Sequence, residues 1–193
     1  MAEHFDYVIV GAGSAGCVLA ARLSEDPAVQ VLVLESGPPD TAMEIHIPAG
    51  FPKLYKSKWD WDFQTEPEPQ LEGRTVYLPR GKMLGGSSSM NAMIYIRGNQ
   101  LDYEEWKGLG LEGWGWKDVL PYFLKAEDNE RGASELHGAG GQLRVSEGKS
   151  RHQLMDAWLE GDAQAGMPPN PDFNGPRRDA VGSSHLPTQG GSR

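Results

Sequence analysis

The residues of this chain best suited to chemistry include three glycines, Gly11, Gly13 and Gly16, spaced as G-x-G-x-x-G. Glycine at the first position permits a tight turn, the second lets the backbone approach a pyrophosphate, and the third lets a helix pack closely on a strand. Ser14 and Ala15 lie between them, where the first N–H groups of a helix could bind an anion at the positive end of the helix dipole. The spacing predicts a phosphate-binding turn that includes all five residues.

A carboxylate follows at the distance that a dinucleotide site requires. Glu35 comes about 20 residues after Gly16, at the end of an apolar run, and with Ser36 it is predicted to complete the site. A carboxylate here accepts hydrogen bonds from ribose hydroxyls, so FAD or NAD is expected rather than NADP. The simpler interpretation is a turn that merely needs small residues, and the position of Glu35 disfavours it. The motif alone leaves the choice between FAD and NAD open.

A second glycine-rich stretch, residues 81–98, reads GKMLGGSSSMNAMIYIRG. Its later half is rich in Met, Ile and Tyr, which is too apolar for a flexible surface loop. We expect a glycine-rich turn whose backbone lies against a flat or charged ligand, followed by a buried segment. Ser87, Ser88 and Asn91 could supply polar contacts to that ligand.

Apolar runs on both sides of the first glycine turn predict the elements that position it. Residues 5–10 and 29–34 are short and rich in β-branched side chains, as in buried strands, and residues 17–23 have helical composition. This strand–helix–strand order predicts a Rossmann-like α/β fold. Three helices and one strand are predicted further along: helices at 101–109, 117–127 and 153–165, and a strand at 142–147.

The two glycine elements together resemble the glucose-methanol-choline (GMC) family of flavin-dependent alcohol oxidoreductases. The family signature combines a basic residue, a Leu, a Gly pair, hydroxyl residues, an Asn, an aromatic residue and a later Gly and acid. The matching positions are Gly81, Lys82, Leu84, Gly85, Gly86, Ser87, Ser88, Met90, Asn91, Tyr95, Gly98 and Glu104. Residues 59–67 resemble the lid that precedes this loop in the family. The resemblance implies an α/β fold with a FAD-binding β-α-β unit, a lid, helical excursions and a sheet that is incomplete within this chain.

The resemblance implies FAD as the cofactor and places the second glycine stretch along it. The residues implied to line FAD there are Arg80, Gly85, Gly86, Ser87, Asn91, Ala92 and Ile94. Some family members attach the flavin covalently through a histidine immediately before the Asn. Here that residue is Met90, whose thioether is not the nucleophile that such a bond requires, so non-covalent FAD is expected.

The resemblance also implies an activity, the oxidation of an alcohol substrate to an aldehyde by hydride transfer to flavin. Residues 77–80 and 95–98 resemble the branch of the family that contains choline dehydrogenases and long-chain alcohol dehydrogenases. An FAD-dependent amine oxidase or monooxygenase would share the first glycine motif but not residues 81–98. The non-enzymatic alternative is a catalytically inactive fragment or flavin-binding module.

Histidines decide between these alternatives, because the family's catalytic base is a histidine far downstream. His46, His137, His152 and His185 have no carboxylate or serine partner at a recognisable spacing, and none matches the position of the family's base. We therefore predict no catalytic residue and no metal ligand in this chain. The isolated chain is expected to be inactive.

The sequence also suggests a division of the chain. We expect residues 1–147 to form the FAD-binding part with the lid and the flavin loop, and residues 148–193 to begin the following segment. In the family a strand continues near residue 182, whereas residues 183–193 here are rich in Gly and Ser and predict a loop. A truncated chain, a frameshifted tail and one half of a split protein, with the missing C-terminal portion as a partner chain, all fit this pattern.

Composition limits the remaining possibilities. The 18 Lys and Arg against 27 Asp and Glu give a formal charge of −9, and no basic stripe predicts nucleic-acid binding. Cys17 is the single cysteine, which excludes an internal disulfide and is typical of a reducing compartment. No signal peptide is evident, and no apolar run approaches the roughly 20 residues of a membrane span. We expect a cytoplasmic protein, with peripheral association with the inner membrane as an alternative.

Overall fold

The computed structural model describes residues 4–149 and 152–188, and these residues form two compact units. The first unit contains the described residues up to Ala92, and the second contains those from Met93 onwards. The predicted boundary between residues 147 and 148 separates the FAD-binding part from the following segment, and it stays a prediction.

The first unit begins with a pair of parallel strands joined by a helix. β1 (Tyr7–Val10) pairs with β2 (Val31–Leu34) in a register that places Tyr7 opposite Val31, and α1 (Ser14–Leu23) connects the two strands. Parallel strands require a crossover of this kind, and the β-branched residues of both strands suit a pleated sheet. The predicted α/β fold class with a β-α-β unit is confirmed.

The sheet formed by β1 and β2 is small and carries exposed apolar side chains. It has two strands in the described part of the chain. Val10 is 85% exposed, and Val8 and Leu34 are exposed as well. The two strands alone therefore leave apolar surface uncovered, which agrees with the predicted incomplete sheet.

Short elements follow β2 in the first unit. They are α2 (Met43–His46), 3₁₀ turns at Pro48–Leu54 and Pro69–Leu71, and the antiparallel pair of β3 (Phe63–Gln64) and β4 (Tyr77–Leu78). Their buried apolar side chains form a core cluster of Ile45, Leu54, Trp59, Met83 and Met90. Met83 and Met90 belong to the second glycine stretch, so this core anchors that stretch in the first unit.

The second unit contains three helices and a short parallel sheet. The helices are α3 (Gln100–Gly108), α4 (Trp116–Ala126) and α5 (Gln153–Gln164). β5 (Glu127–Asn129) pairs in parallel with β6 (Leu143–Val145). All four predicted elements of this region are present within one or two residues of their predicted ends, and α4 ends one residue before its predicted end.

The end of α4 differs from the prediction in a way that matters for the chemistry of this unit. Glu127 was predicted to end the helix, but its extended backbone (φ −86°, ψ 137°) begins β5 and pairs with Leu143. The long-range pairing with β6 outweighs the local helical propensity of Glu127. The carboxylate of Glu127 is consequently buried instead of lying on a solvated helix end.

The residues after Val181 form no regular strand up to residue 188, as predicted, although their backbone is paired. Tyr95 N–H donates to the His185 carbonyl at 2.9 Å, and Ser146 and Leu186 exchange two N–H···O bonds of 2.8 Å. Loop composition in the sequence did not reveal these pairings.

None of the helices in the described ranges has the length and apolar character needed to cross a bilayer.

Candidate cofactor-binding site

The first glycine motif forms the turn between β1 and α1, which we call the dinucleotide turn (residues 11–16). Gly11 has φ +94°, a conformation that favours glycine, and its N–H donates to the Leu34 carbonyl at 2.7 Å. A Cβ on Gly16 would overlap the carbonyl oxygen of Gly11. Both glycines are therefore required by the turn itself, in the roles that the spacing predicted.

Helix α1 starts earlier than its composition predicted, and this brings the first turn of the helix into the site. Gly13 is the N-cap, and Ser14, Ala15 and Gly16 form the first turn in place of the predicted start at residue 17. The N–H groups of a first helical turn lack partners within the helix. They are the donors that could bind an anion at this end of α1.

Gly13 differs from the other glycines of the turn because it combines open space with a backbone conformation that any residue can adopt. Its backbone (φ −76°, ψ −173°) is extended and open to any residue, and a Cβ placed on it would meet no atom within 4 Å. The protein itself therefore does not require glycine at this position. A ligand lying against the backbone would require it, which is the role that the motif assigns to its second glycine.

Glu35 is held against the dinucleotide turn. Its Oε2 accepts a hydrogen bond from Ala12 N–H at 2.7 Å, and its Oε1 accepts one from Gly37 N–H at 2.7 Å. Each carboxylate oxygen keeps further acceptor capacity, which ribose hydroxyls could use. Ser36 is exposed beside it. Glu35 thus has a structural role in the turn in addition to its predicted role toward the ligand.

The second glycine stretch lies directly on the dinucleotide turn through residues 81–91, which we call the serine loop. Gly85 N–H donates to the Ala12 carbonyl at 2.8 Å, and Gly85 bridges Gly13 in parallel. A Cβ on Gly86 would lie 2.9 Å from the Cα of Gly13, and Gly86 has φ +55°. The backbones of the two glycine elements are therefore in direct contact, and a side chain at Gly86 would force them apart.

Other predicted residues have more ordinary surroundings. The guanidinium of Arg80 is exposed and donates to the Pro79 carbonyl at 2.7 Å. Ser87 Oγ accepts a hydrogen bond from Gly81 N–H at 3.1 Å. The remaining predicted residues are all exposed: Asn91 and Ala92 end the first unit, and Ile94 belongs to the second. Their contact with a cofactor stays a prediction.

Met90 occupies the position at which some family members carry the flavin-linked histidine. Its side chain is 2% exposed and packs in the core cluster with Ile45 and Met83. The side chain at this position is therefore a core residue of the first unit.

With the geometry of both glycine elements established, comparison with known proteins identifies the family. The sequence profile of the GMC oxidoreductases matches residues 5–193, so the chain belongs to the GMC oxidoreductase family, as its motifs predicted. The chain is 47% identical to mitochondrial choline dehydrogenase of Homo sapiens, over 99% of the chain and 34% of that protein. It is also 47% identical to the alcohol dehydrogenase [acceptor] of Pseudomonas putida, over 98% of the chain and 35% of that protein.

A solved structure gives the same relationship. The crystal structure of pyridoxine 4-oxidase from Mesorbium loti matches with a TM-score of 0.93 and 38% identity, covering 98% of this chain and 38% of that chain. The chain thus spans about a third of the length of the relatives it matches.

The second unit contains a buried ionic network that sequence reasoning missed. The guanidinium of Arg97 donates to Glu127 Oε2 and, through Nη1, to the Leu136 carbonyl at 2.6 Å. His137 Nδ1 lies 2.8 Å from Glu127 Oε1, and His137 Nε2 lies 2.7 Å from Asp172 Oδ2. The expectation that His137 has no carboxylate partner is wrong.

The partners of His137 were missed because no local spacing connects them. Glu127 and Asp172 are 10 and 35 residues away, on a strand and a loop whose approach depends on the tertiary fold. Both ring nitrogens lie within hydrogen-bond distance of carboxylate oxygens, and Nδ1 also lies 3.1 Å from Asn129 Nδ2. Side chains of the network therefore hold the imidazole ring at both of its nitrogens.

Two titratable groups of this region with shifted pKa values are Asp172 and His185, and His185 Nδ1 lies 3.9 Å from Asp172 Oδ1. Burial raises the pKa of Asp172, but the hydrogen bonds from His137 and from the Asn174 N–H outweigh this effect and lower it below 3.8. Burial of the His185 ring and the nearby Arg131 guanidinium lower the pKa of His185 below 6.5. His185 is therefore held as the neutral ring near pH 7.

Proposed function

We propose that this chain is the FAD-binding part of a GMC oxidoreductase that oxidises an alcohol to an aldehyde. The observation that carries the proposal is the contact of the two glycine elements, in which Gly86 lies against Gly13 while Gly13 faces open space. A single glycine turn would suit NAD equally well. A second glycine loop held beside the first suits a longer, bent dinucleotide, and family membership supports FAD in particular.

In this proposal the chain binds and orients the cofactor. The N–H groups of Ser14, Ala15 and Gly16 bind the pyrophosphate, and Glu35 accepts hydrogen bonds from the ribose. The serine loop extends from the dinucleotide turn toward the flavin. When bound, FAD supplies the hydride acceptor of the reaction.

The substrate class is proposed from the relatives. The names of two of them are choline dehydrogenase and alcohol dehydrogenase [acceptor], both of which indicate oxidation at a hydroxyl carbon. Their sequences are about three times as long as this chain, and we propose that the base lies in the part that this chain does not cover. The alternative, a flavin-binding module without activity of its own, is favoured for the isolated chain by the occupied ring nitrogens of His137.

This division of roles predicts binding without turnover for the isolated chain. Bound FAD is expected to stay oxidised when choline or an aliphatic alcohol is added under anaerobic conditions, because in this proposal the base lies in the part of the relatives that this chain does not cover. Flavin absorbance near the visible maximum measures the outcome, with dithionite as the positive control for reduction. Stoichiometric bleaching by any of these alcohols would place a competent base within the chain.

The identity and attachment of the cofactor give a second test. The chain is expected to quench FAD fluorescence on titration and to bind NAD at least about tenfold more weakly, a difference of about 1.4 kcal/mol. Acid precipitation of the loaded chain is expected to leave all flavin in the supernatant, because Met90 is a buried thioether. Binding of NAD without FAD would refute the flavin proposal, and yellow colour in the pellet would refute non-covalent attachment alone.

A further inference from the structure

A buried carboxylate in the first unit lies at the base of the serine loop. Asp60 is 7% exposed, and its two oxygens accept four hydrogen bonds. Oδ1 accepts from Arg80 N–H at 3.0 Å and Asp62 N–H at 3.1 Å. Oδ2 accepts from Lys56 N–H at 2.9 Å and from the Tyr77 hydroxyl. One side chain thereby connects the segment before β3 to the segment after β4.

These hydrogen bonds keep Asp60 ionised. Burial alone raises the pKa of its carboxyl, but the bonds from Tyr77 and the backbone N–H groups of Lys56, Asp62 and Arg80 lower it below 3.8. Burial and the bond to Asp60 raise the pKa of Tyr77 to about 12. The pair therefore stays as a carboxylate and a neutral phenol at any pH used for cofactor binding.

Backbone pairing on both sides of Asp60 continues the same connection. Trp61 N–H donates to the Arg80 carbonyl at 2.9 Å, and Lys82 N–H donates to the Trp59 carbonyl at 2.8 Å. Asp60 and Gly81 form an antiparallel bridge between them. The first residues of the serine loop are thus fixed in register against residues 59–61.

The register of Gly81 determines where the glycine pair of the loop lies. Gly81 N–H donates to Ser87 Oγ at 3.1 Å, and a Cβ on Gly81 would overlap the carbonyl of Gly86. Gly86 in turn lies against Gly13. A displacement of Arg80 and Gly81 would therefore move Gly86 away from the dinucleotide turn, since these backbones are in direct contact.

We propose that Asp60 is a positioning residue for the cofactor site, which holds the serine loop in register against the dinucleotide turn without touching the cofactor. The proposal of FAD as the ligand rests on the function proposed above, but the positioning of the loop by Asp60 does not. Asn is the informative replacement. Its amide has one acceptor oxygen. Its NH₂ group must therefore face at least one of the backbone N–H groups that now donate to Asp60, and two donors cannot form a hydrogen bond.

The test compares Asp60→Asn with Tyr77→Phe in the full chain. Tyr77→Phe removes the donor to Oδ2 and the 3.3 Å bond that the hydroxyl accepts from Lys56 N–H, but leaves the bonds from Arg80 and Asp62. It therefore controls for a loss of hydrogen bonds that does not involve Arg80. Hydrogen exchange without any ligand is the first readout. In Asp60→Asn the amides of Gly85, Gly86 and Ser88 are expected to exchange about tenfold faster, and those of β1 and β2 at the wild-type rate.

FAD titration is the second readout. The Kd for FAD is expected to rise about tenfold in Asp60→Asn and to change less than about threefold in Tyr77→Phe. Unchanged exchange in the serine loop, or an equal increase in β1 and β2, would overturn the positioning role. Faster exchange in the loop of a chain that binds no FAD even as wild type would refute the flavin proposal and leave the positioning role intact.

Discussion

Replacement of Gly13 by valine is expected to abolish FAD binding while the chain keeps its fold. The backbone at Gly13 is extended, and a Cβ there meets no atom of the protein within 4 Å, so the free chain leaves space where a side chain would begin. A pyrophosphate bound at the start of α1 would occupy that space. We expect the Kd for FAD to rise by about 100-fold or more, which corresponds to about 3 kcal/mol, measured by fluorescence titration.

Two further glycine variants separate a blocked ligand from a damaged fold. Gly161→Val places the same side chain at an open position of α5, where a Cβ also meets nothing within 4 Å, and should leave the Kd for FAD unchanged. Gly16→Ala overlaps the Gly11 carbonyl and should disrupt the turn, which far-UV circular dichroism and a lower unfolding midpoint would detect. Wild-type FAD affinity in Gly13→Val would exclude a pyrophosphate from this position.

Glu35 offers a weaker test of the same site. Because its carboxylate also accepts hydrogen bonds from Ala12 and Gly37, Glu35→Ala removes support from the turn together with any contact to ribose. A loss of FAD affinity of about 1–3 kcal/mol in this variant is expected on either ground. Gly13 gives the sharper test because the protein itself does not require glycine at this position.

The parts of the site that the sequence predicted are those encoded by adjacent residues. A strand, a glycine turn, a helix and an acid follow one another within one β-α-β unit, so spacing alone predicted the roles of Gly11 and Gly16 in the turn and the position of Glu35 after the second strand. The start of α1 was placed too late, because Ser14 and Gly16 have lower helical propensity than the Leu- and Ala-rich run that follows them.

The parts that the sequence did not predict depend on contacts between distant segments. Asp60 lies in residues 59–67, which were assigned to the lid by resemblance alone, and its hydrogen-bond donors lie as far as 20 residues away in sequence. Glu127 looked like the end of an amphipathic helix, and its role became visible only after β5 paired with β6. No periodicity and no neighbouring residue in the sequence indicates the partners of either side chain, because tertiary pairing brings the donors to them.

Glu127 has the largest expected effect on the stability of the second unit. Its side chain is fully buried, and it accepts hydrogen bonds from Arg97, from Asn129 at 2.7 Å and from His137 at 2.8 Å. Arg97 is itself buried, so removal of the negative charge leaves a guanidinium without its counter-ion in a region that water does not reach. The cost of breaking such a pair exceeds the net stability that the intact pair provides, because the desolvated charge stays behind.

Glu127→Gln is therefore expected to lower the free energy of unfolding by about 3–5 kcal/mol, measured by urea denaturation with near-UV circular dichroism. The matched control is Glu147→Gln, which breaks the Arg131–Glu147 ion pair, a contact of 2.5 Å between side chains that are 38% and 51% exposed. Water solvates both partners of that pair, so its loss should cost less than about 1 kcal/mol. The two variants share the same chemical change and differ in the burial of the carboxylate and in the number of its hydrogen-bond partners. Equal costs for the two variants would mean that Arg97 finds another partner when Glu127 is neutralised, and that the network does not determine the stability of this unit.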